Sequence, residues 1–171
     1  MSDSVRTGAS LARGQSKQDY ATPRKFLDAV QRRFGTIVFD LAAHADNCVV
    51  PGYFGPGGIL QDALSPECVW QRCPSGSLWL NPPFDTIAPW ARKCAEVGGF
   101  TQSRCRSVGQ RILFLVPASV GSEWFAQYVD GEALVVFLRP RLSFDGKNPY
   151  PKDCMLCVFG AQPGYECWRW C

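Results

Sequence analysis

Hydrophobic positions along this chain fall into two kinds of run. In TPRKFLDAVQRRFG, Phe26, Leu27, Val30 and Phe34 recur at helical spacing between polar positions. That pattern predicts an amphipathic helix with Thr22 as its cap, Pro23 at its first position and Gly35 as its stop. The other runs are continuous: TIVFDL (36–41), SLWL (77–80), RILFLV (111–116), LVVFL (134–138) and CMLCVF (154–159). Unbroken apolar runs of this length fit strands buried on both faces, as in a mostly parallel sheet flanked by helices. Further helices are predicted near residues 87–97 and 122–129, the second with Ser122 as its cap.

Strand and helix therefore alternate, which predicts an α/β fold: a Rossmann-like, three-layer domain with a mostly parallel central sheet. Ligands of such domains sit at the carboxyl ends of the strands. By that rule Asp40, the segment Asn81-Pro82-Pro83-Phe84 and residues 117–121 converge on one rim. Residues 1–18 are polar and aperiodic and read as a flexible arm, residues 19–160 as the domain, and residues 161–171 as a tail that packs Trp168 and Trp170 onto it. The stretch PGYFGPGG (51–58) reads as a loop.

Composition narrows the classes. A chain of 171 residues with 46% hydrophobic and 19% charged residues has the balance of one ordinary globular domain, not of a disordered segment. No apolar run approaches the roughly 20 residues of a membrane span, and the first residues lack an apolar leader, so a cytoplasmic protein is expected. Nine cysteines are then expected as reduced thiols. The net charge of +3 permits a polyanionic partner without requiring one. Cys154, Cys157, Cys167 and Cys171 have the number of a four-thiolate zinc site, but Cys154 and Cys157 stand three apart in a strand and point to opposite faces, so no metal is expected. The sole histidine, His44, reads as a loop residue beside the ligand.

The double proline after SLWL demands its own explanation. Proline donates no backbone hydrogen bond, which leaves carbonyls such as that of Pro82 as fixed acceptors, and the Asn81 side chain adds a second one. Two such acceptors suit the two hydrogens of an exocyclic amino group; holding both draws the nitrogen lone pair out of conjugation and makes the amine more nucleophilic. The Phe84 ring offers a face on which a base can stack. Taken alone, the segment is equally readable as a turn between strand and helix. Upstream, Asp40 stands at a strand end before the small residues Ala42 and Ala43, and Asp62 follows in QDAL. Carboxylates there suit the polar groups of S-adenosylmethionine, whose positive sulfur makes its methyl group electrophilic; they are also readable as a strand end and a helix cap.

The ordered set DYATP (19–23), FDLAAHADN (39–47), QDAL (61–64), WLNPPF (79–84), ILFLVPA (112–118) and LRPRLSF (138–144) resembles the phage-type Dam family of DNA N6-adenine methyltransferases. The resemblance implies that Asn81, Pro82, Pro83 and Phe84 carry catalysis. It implies a cofactor pocket for S-adenosylmethionine lined by Tyr20, Thr22, Pro23, Asp40, Ala42, Ala43, Asp62, Leu64 and Asn81. The family's tetrad commonly ends in Tyr and here ends in Phe84, which keeps the stacking plane without the hydroxyl. The 22 residues from Asp40 to Asp62 leave no room for a helix, a further strand and the glycine-rich loop, so no separate acid for a ribose is assigned.

A base inside a duplex cannot reach such a pocket, so double-stranded DNA would be met by base flipping. Candidate DNA contacts are Arg104, Arg106 and Arg111 in or beside one polar loop, and Arg139, Arg141, Phe144 and Lys147 around LRPRLSFDGK. Two other readings stay open: a methyltransferase acting on a different planar amine, such as cytosine N4, RNA adenine or protein glutamine, and a nucleic-acid-binding relative without turnover.

Overall fold

The computed structural model describes residues 21–101 and 109–171. Tyr20, Arg104 and Arg106 lie outside the described residues. Along the chain run α1 (Arg24–Phe34), β1 (Ile37–Asp40), a short 3-10 turn (Trp70–Arg72), β2 (Ser77–Leu80), α2 (Ile87–Gly98), β3 (Arg111–Pro117), α3 (Glu123–Tyr128), β4 (Leu134–Arg139), β5 (Cys154–Phe159) and β6 (Gly164–Arg169). The fold is mixed α/β, and its six-stranded sheet has the order β1-β2-β3-β5-β4-β6. Pairs β1–β2, β2–β3 and β4–β6 are parallel, whereas β5 runs against both β3 and β4. The sheet is thus mostly parallel, with one reversed strand inserted near its middle.

Continuous apolar runs are explained by burial on both faces, since alternate side chains of a strand enter different layers. Trp79, Leu113, Leu115, Val136, Leu156 and Val158 form one core with Phe26, Leu27, Val30 and Phe34 of α1. Leu78, Leu80, Ile112, Phe114, Val135 and Cys157 form the other with Ile87, Ala91 and Ala95 of α2 and Phe125 of α3. Helix, sheet and helices make three layers. Full burial of each of the large α1 side chains contributes roughly 1.5–3 kcal/mol to this packing. Cys154 enters one core and Cys157 the other, as alternation requires.

Three features depart from the sequence expectation, while the β1–β2 connection is built on the loop it predicts at residues 51–58. Pro23 rather than Thr22 occupies the cap position of α1, and its carbonyl accepts from the N–H groups of Phe26 (3.0 Å) and Leu27 (3.1 Å). Ser122 does stand at the cap of α3, but its hydroxyl donates backward to the Ser119 carbonyl (2.7 Å) and so does not cap the helix. No α-helix joins β1 to β2. Instead the glycine-rich stretch lies along the end of β1: Asp40 N–H donates to Gly52 O, Phe54 N–H to Asp40 O and Ala43 N–H to Phe54 O, each at 3.0 Å. Finally, residues expected as a tail supply β6, whose inward Trp168 packs on Phe26 and Phe34 while Trp170, just beyond the strand, meets Phe26. Among the described residues, no helix is long and apolar enough to cross a membrane.

Candidate active site

Because β1, β2 and β3 are parallel, Asp40, Leu80 and Pro117 end on one side of the sheet. The reversed β5 starts on that same side, with Cys154 opposite Pro117, so the β4–β5 connection (140–153) joins the rim. The Asn81–Phe84 segment leaves β2 between these two groups of loops. Its prolines interrupt the ladder, Pro82 is buried, and α2 begins only at Ile87.

Asn81 is fixed from the side of α1. Its Nδ2 donates to Thr22 Oγ1 at 3.2 Å, and its Oδ1 lies in a solvent-shielded position. The threonine hydroxyl, expected as a helix cap, therefore serves the asparagine. A cleft of about 240 Å³ opens beside it, lined by Ala42, Ala43, His44, Asn47, Phe54, Gly55, Pro56, Gln61, Asp62, Ala63, Asn81, Pro83 and Trp90. The geometry gathers Ala42, Ala43, Asp62 and Asn81 of the predicted set onto one cavity. Leu64 instead faces a neighbouring cavity shared with Lys93 and Arg92. Seven lining residues, Asn47, Phe54, Gly55, Pro56, Gln61, Ala63 and Trp90, were not named as site residues from the sequence. Gly55 had a signal: its φ of +134° and the Ala43 carbonyl, 1.9 Å from where a Cβ would stand, leave room for glycine alone.

Asp40 lies beneath the cleft and is only 2% exposed. Its Oδ1 accepts from Ala42 N–H (3.2 Å) and its Oδ2 from Val49 N–H (3.1 Å), so the carboxylate ties the 41–49 loop to the strand end. Burial pushes its pKa up to about 6, against the lowering effect of those two donors. Asp62 Oδ1 accepts from Leu64 N–H at 2.8 Å and shapes the turn that presents this acid to the cleft. His44 donates its backbone N–H to Asn47 Oδ1 (2.8 Å), while its Nδ1 accepts from Asp46 N–H (3.2 Å).

On the other side of Asn81, three rings meet edge to face. Phe84 stands 6.2 Å from Phe144 and 5.9 Å from Tyr150, which are 5.3 Å from each other. The LRPRLSF loop thus reaches the proline segment through Phe144, and Tyr150 joins unpredicted. Lys147 and Arg139 are exposed along this loop and at its base. Arg141 is engaged by Asp153 (2.8 Å) and the Pro151 carbonyl. Arg111 opens β3 at the end of the sheet opposite the rim, so proximity in sequence to a polar loop did not bring it there.

Fold and rim together define an α/β protein with a cleft at the carboxyl ends of parallel strands, bounded by an Asn-Pro-Pro-Phe segment. The chain belongs to the Dam family: the family described as DNA N-6-adenine-methyltransferase (Dam) matches residues 10–154. It is 22% identical over 146 residues to the DNA N-6-adenine-methyltransferase of Escherichia phage T1, an alignment covering 85% of this chain and 55% of that relative. The chain thus spans about half the length of the curated relative it matches. No solved structure matches.

Proposed function

We propose that this protein is a Rossmann-like methyltransferase that moves the methyl group of S-adenosylmethionine to the N6 amino group of a flipped-out adenine in DNA. The observation that carries this reading is the position of Asn81, hydrogen-bonded to Thr22, between the 240 Å³ cleft and the ring cluster of Phe84. The donor set of the cleft fits the cofactor. Phe54, Trp90, Ala42 and Ala63 offer apolar walls to a flat ring, while Gln61, Asn47 and the Asp62 carboxylate offer polar groups suited to hydroxyl, amino and cationic parts of the same ligand. The cofactor, when bound, supplies an electrophilic methyl group on a positively charged sulfur.

The remaining work falls to the chain. Asn81 Oδ1 and the Pro82 carbonyl accept the two amine hydrogens and hold the nitrogen with its lone pair toward the cleft. Phe84 supports the face of the adenine, a contact worth roughly 1–3 kcal/mol for a stacked base. Asn81 Oδ1 is shielded from solvent, so acceptance by this fixed oxygen is stronger than in bulk water. Orientation of amine and donor in line supplies much of the acceleration. Arg139 and Lys147, on the exposed loop side, suit the phosphate backbone.

The test is a nucleoside analysis: unmethylated DNA and methyl-labelled S-adenosylmethionine are incubated with the protein and digested. Label in N6-methyladenine is the expected result. Label in N4-methylcytosine would overturn the acceptor, and DNA binding without affinity for the cofactor would overturn the enzyme.

A further inference from the structure

Behind the cleft, four groups are assembled that neither the family match nor the catalytic segment accounts for. Trp90 lines the cleft from α2 and is half-buried. Its indole lies against that of the fully buried Trp70, with centroids 6.3 Å apart and planes 28° from parallel. Trp70 is itself fixed: its Nε1 donates to the Ala63 carbonyl at 3.0 Å. The Lys93 ammonium sits 5.1 Å from the Trp70 ring centroid and donates to both the Ala63 (2.7 Å) and Ser65 (3.2 Å) carbonyls. Trp90 and Lys93 stand three apart on one face of α2, so the same helix carries the exposed ring and the cation that anchors the facing loop.

The consequences run in one direction. A tryptophan whose rear face is packed on a second, immobilised tryptophan presents a pre-oriented front face to the cavity. Polar groups of the same cleft come from the loop that Lys93 and Trp70 hold, since Gln61, Asp62 and Ala63 line it. A rigid aromatic face beside an amide and a carboxylate matches a purine ring: the face receives the π-system, the carboxylate accepts from the amino group, and the amide N–H donates to a ring nitrogen. Rigidity of the platform reduces the ordering cost of binding. A purely structural Trp90 would be served as well by burial, yet the helix leaves this ring at the cavity wall.

We infer that Trp90 is the stacking surface for the adenine ring of the bound cofactor, with Trp70 as its backing and Lys93 as a positioning residue for the polar wall. This deepens the cofactor reading proposed above and rests on it. It assigns the purine to the α2 side of the cleft, leaving the side of Asn81 and Pro83 for the reactive end.

Calorimetric titration of the full chain with S-adenosylhomocysteine, paired with tryptophan fluorescence, tests the assignment. Wild-type protein should bind with quenching of its emission. Trp90→Leu should weaken binding tenfold or more. Trp90→Phe should bind within about threefold of wild type, since a ring face is kept, while losing most of the quenching. The far-ultraviolet circular dichroism of both variants checks folding, and Trp90→Phe carries the test if the leucine variant does not fold. Unchanged affinity in a folded Trp90→Leu, or undiminished quenching in Trp90→Phe, would overturn the stacking role while leaving the cofactor reading intact. Absence of binding by wild type would overturn the cofactor reading itself, and the stacking role with it.

Discussion

On the β1 side of the rim, loops are gathered by a nearly inaccessible carboxylate, whereas on the β4–β5 side they are gathered by groups in solvent. Asp40 takes N–H groups from residues two and nine positions downstream. The 140–153 loop buries Leu142 and packs Phe144 and Tyr150 on Phe84, but its side-chain polar ties are the half-exposed Arg141–Asp153 pair and Asp145, whose exposed carboxylate accepts from the N–H groups of Asn148 and Lys147 at 2.8 Å each. Those two donors hold the Asp145 pKa down to about 2. Buried, mutually determined contacts give a rigid socket; exposed turns and ion pairs give a loop whose contacts exchange with water at small cost. The difference matches the two tasks proposed: a small cofactor held in fixed geometry, and a large, variable polyanion met at the surface. Asn81 sits at the boundary.

Perturbing the buried side should have the larger effect. The Asp40 carboxyl titrates near 3.8 when unfolded and near 6 when folded. With the folded value higher, its contribution to stability is fully present below the unfolded pKa and is lost as pH rises through the folded one, a change of about 3 kcal/mol. The stability of wild type minus that of Asp40→Asn, from urea unfolding, should therefore fall by about that amount between pH 4 and pH 7. A flat difference would show that the carboxylate is not desolvated as its burial implies.

Phe84→Ala comes next. It removes the proposed stacking face and its contacts with Phe144 and Tyr150, so kcat/KM for methyl transfer should drop about tenfold to a hundredfold, and Phe84→Tyr should restore most of it. Lys93→Met deletes two donors to the loop carbonyls; unfolding free energy should fall by about 1–2 kcal/mol. On the exposed side, Arg141→Ala should change stability by less than about 1 kcal/mol. Arg139→Ala should instead lower the slope of log DNA affinity against log salt by about 0.9, the signature of one lost phosphate contact. If Arg141→Ala proved as costly as the Asp40 change, the contrast between the two sides would fail.

How much of this was legible depends on what kind of contact does the work. The five apolar runs announced β1 to β5 because double-faced burial writes itself as continuous hydrophobicity. Strand β6 escaped because GYECWR is an edge strand with alternating exposure, and its polar positions read as a tail. Residues 51–58 were read as a loop, but their attachment to the end of β1 escaped for a different reason: it is made by backbone hydrogen bonds, which leave little trace in residue type. Asn81, Pro82, Pro83 and Phe84 were legible since two prolines at a strand end have no packing rationale. Thr22 was read with the wrong partner, because a threonine before a helix more often serves its own N–H groups than a side chain 59 positions away. Trp90 went unremarked within the helix predicted near 87–97, and only the cleft beside it marks it out.

The most direct measurement compares Asn81→Ala with wild type in two readouts on the same preparation: S-adenosylmethionine affinity by calorimetry and methyl transfer to unmethylated DNA. The account predicts transfer reduced by about a hundredfold or more, as for removal of a preorganised polar contact to the reacting group, with cofactor affinity within a few-fold. Transfer retained at the wild-type rate, with the variant folded, would contradict the placement of the reacting amine on Asn81.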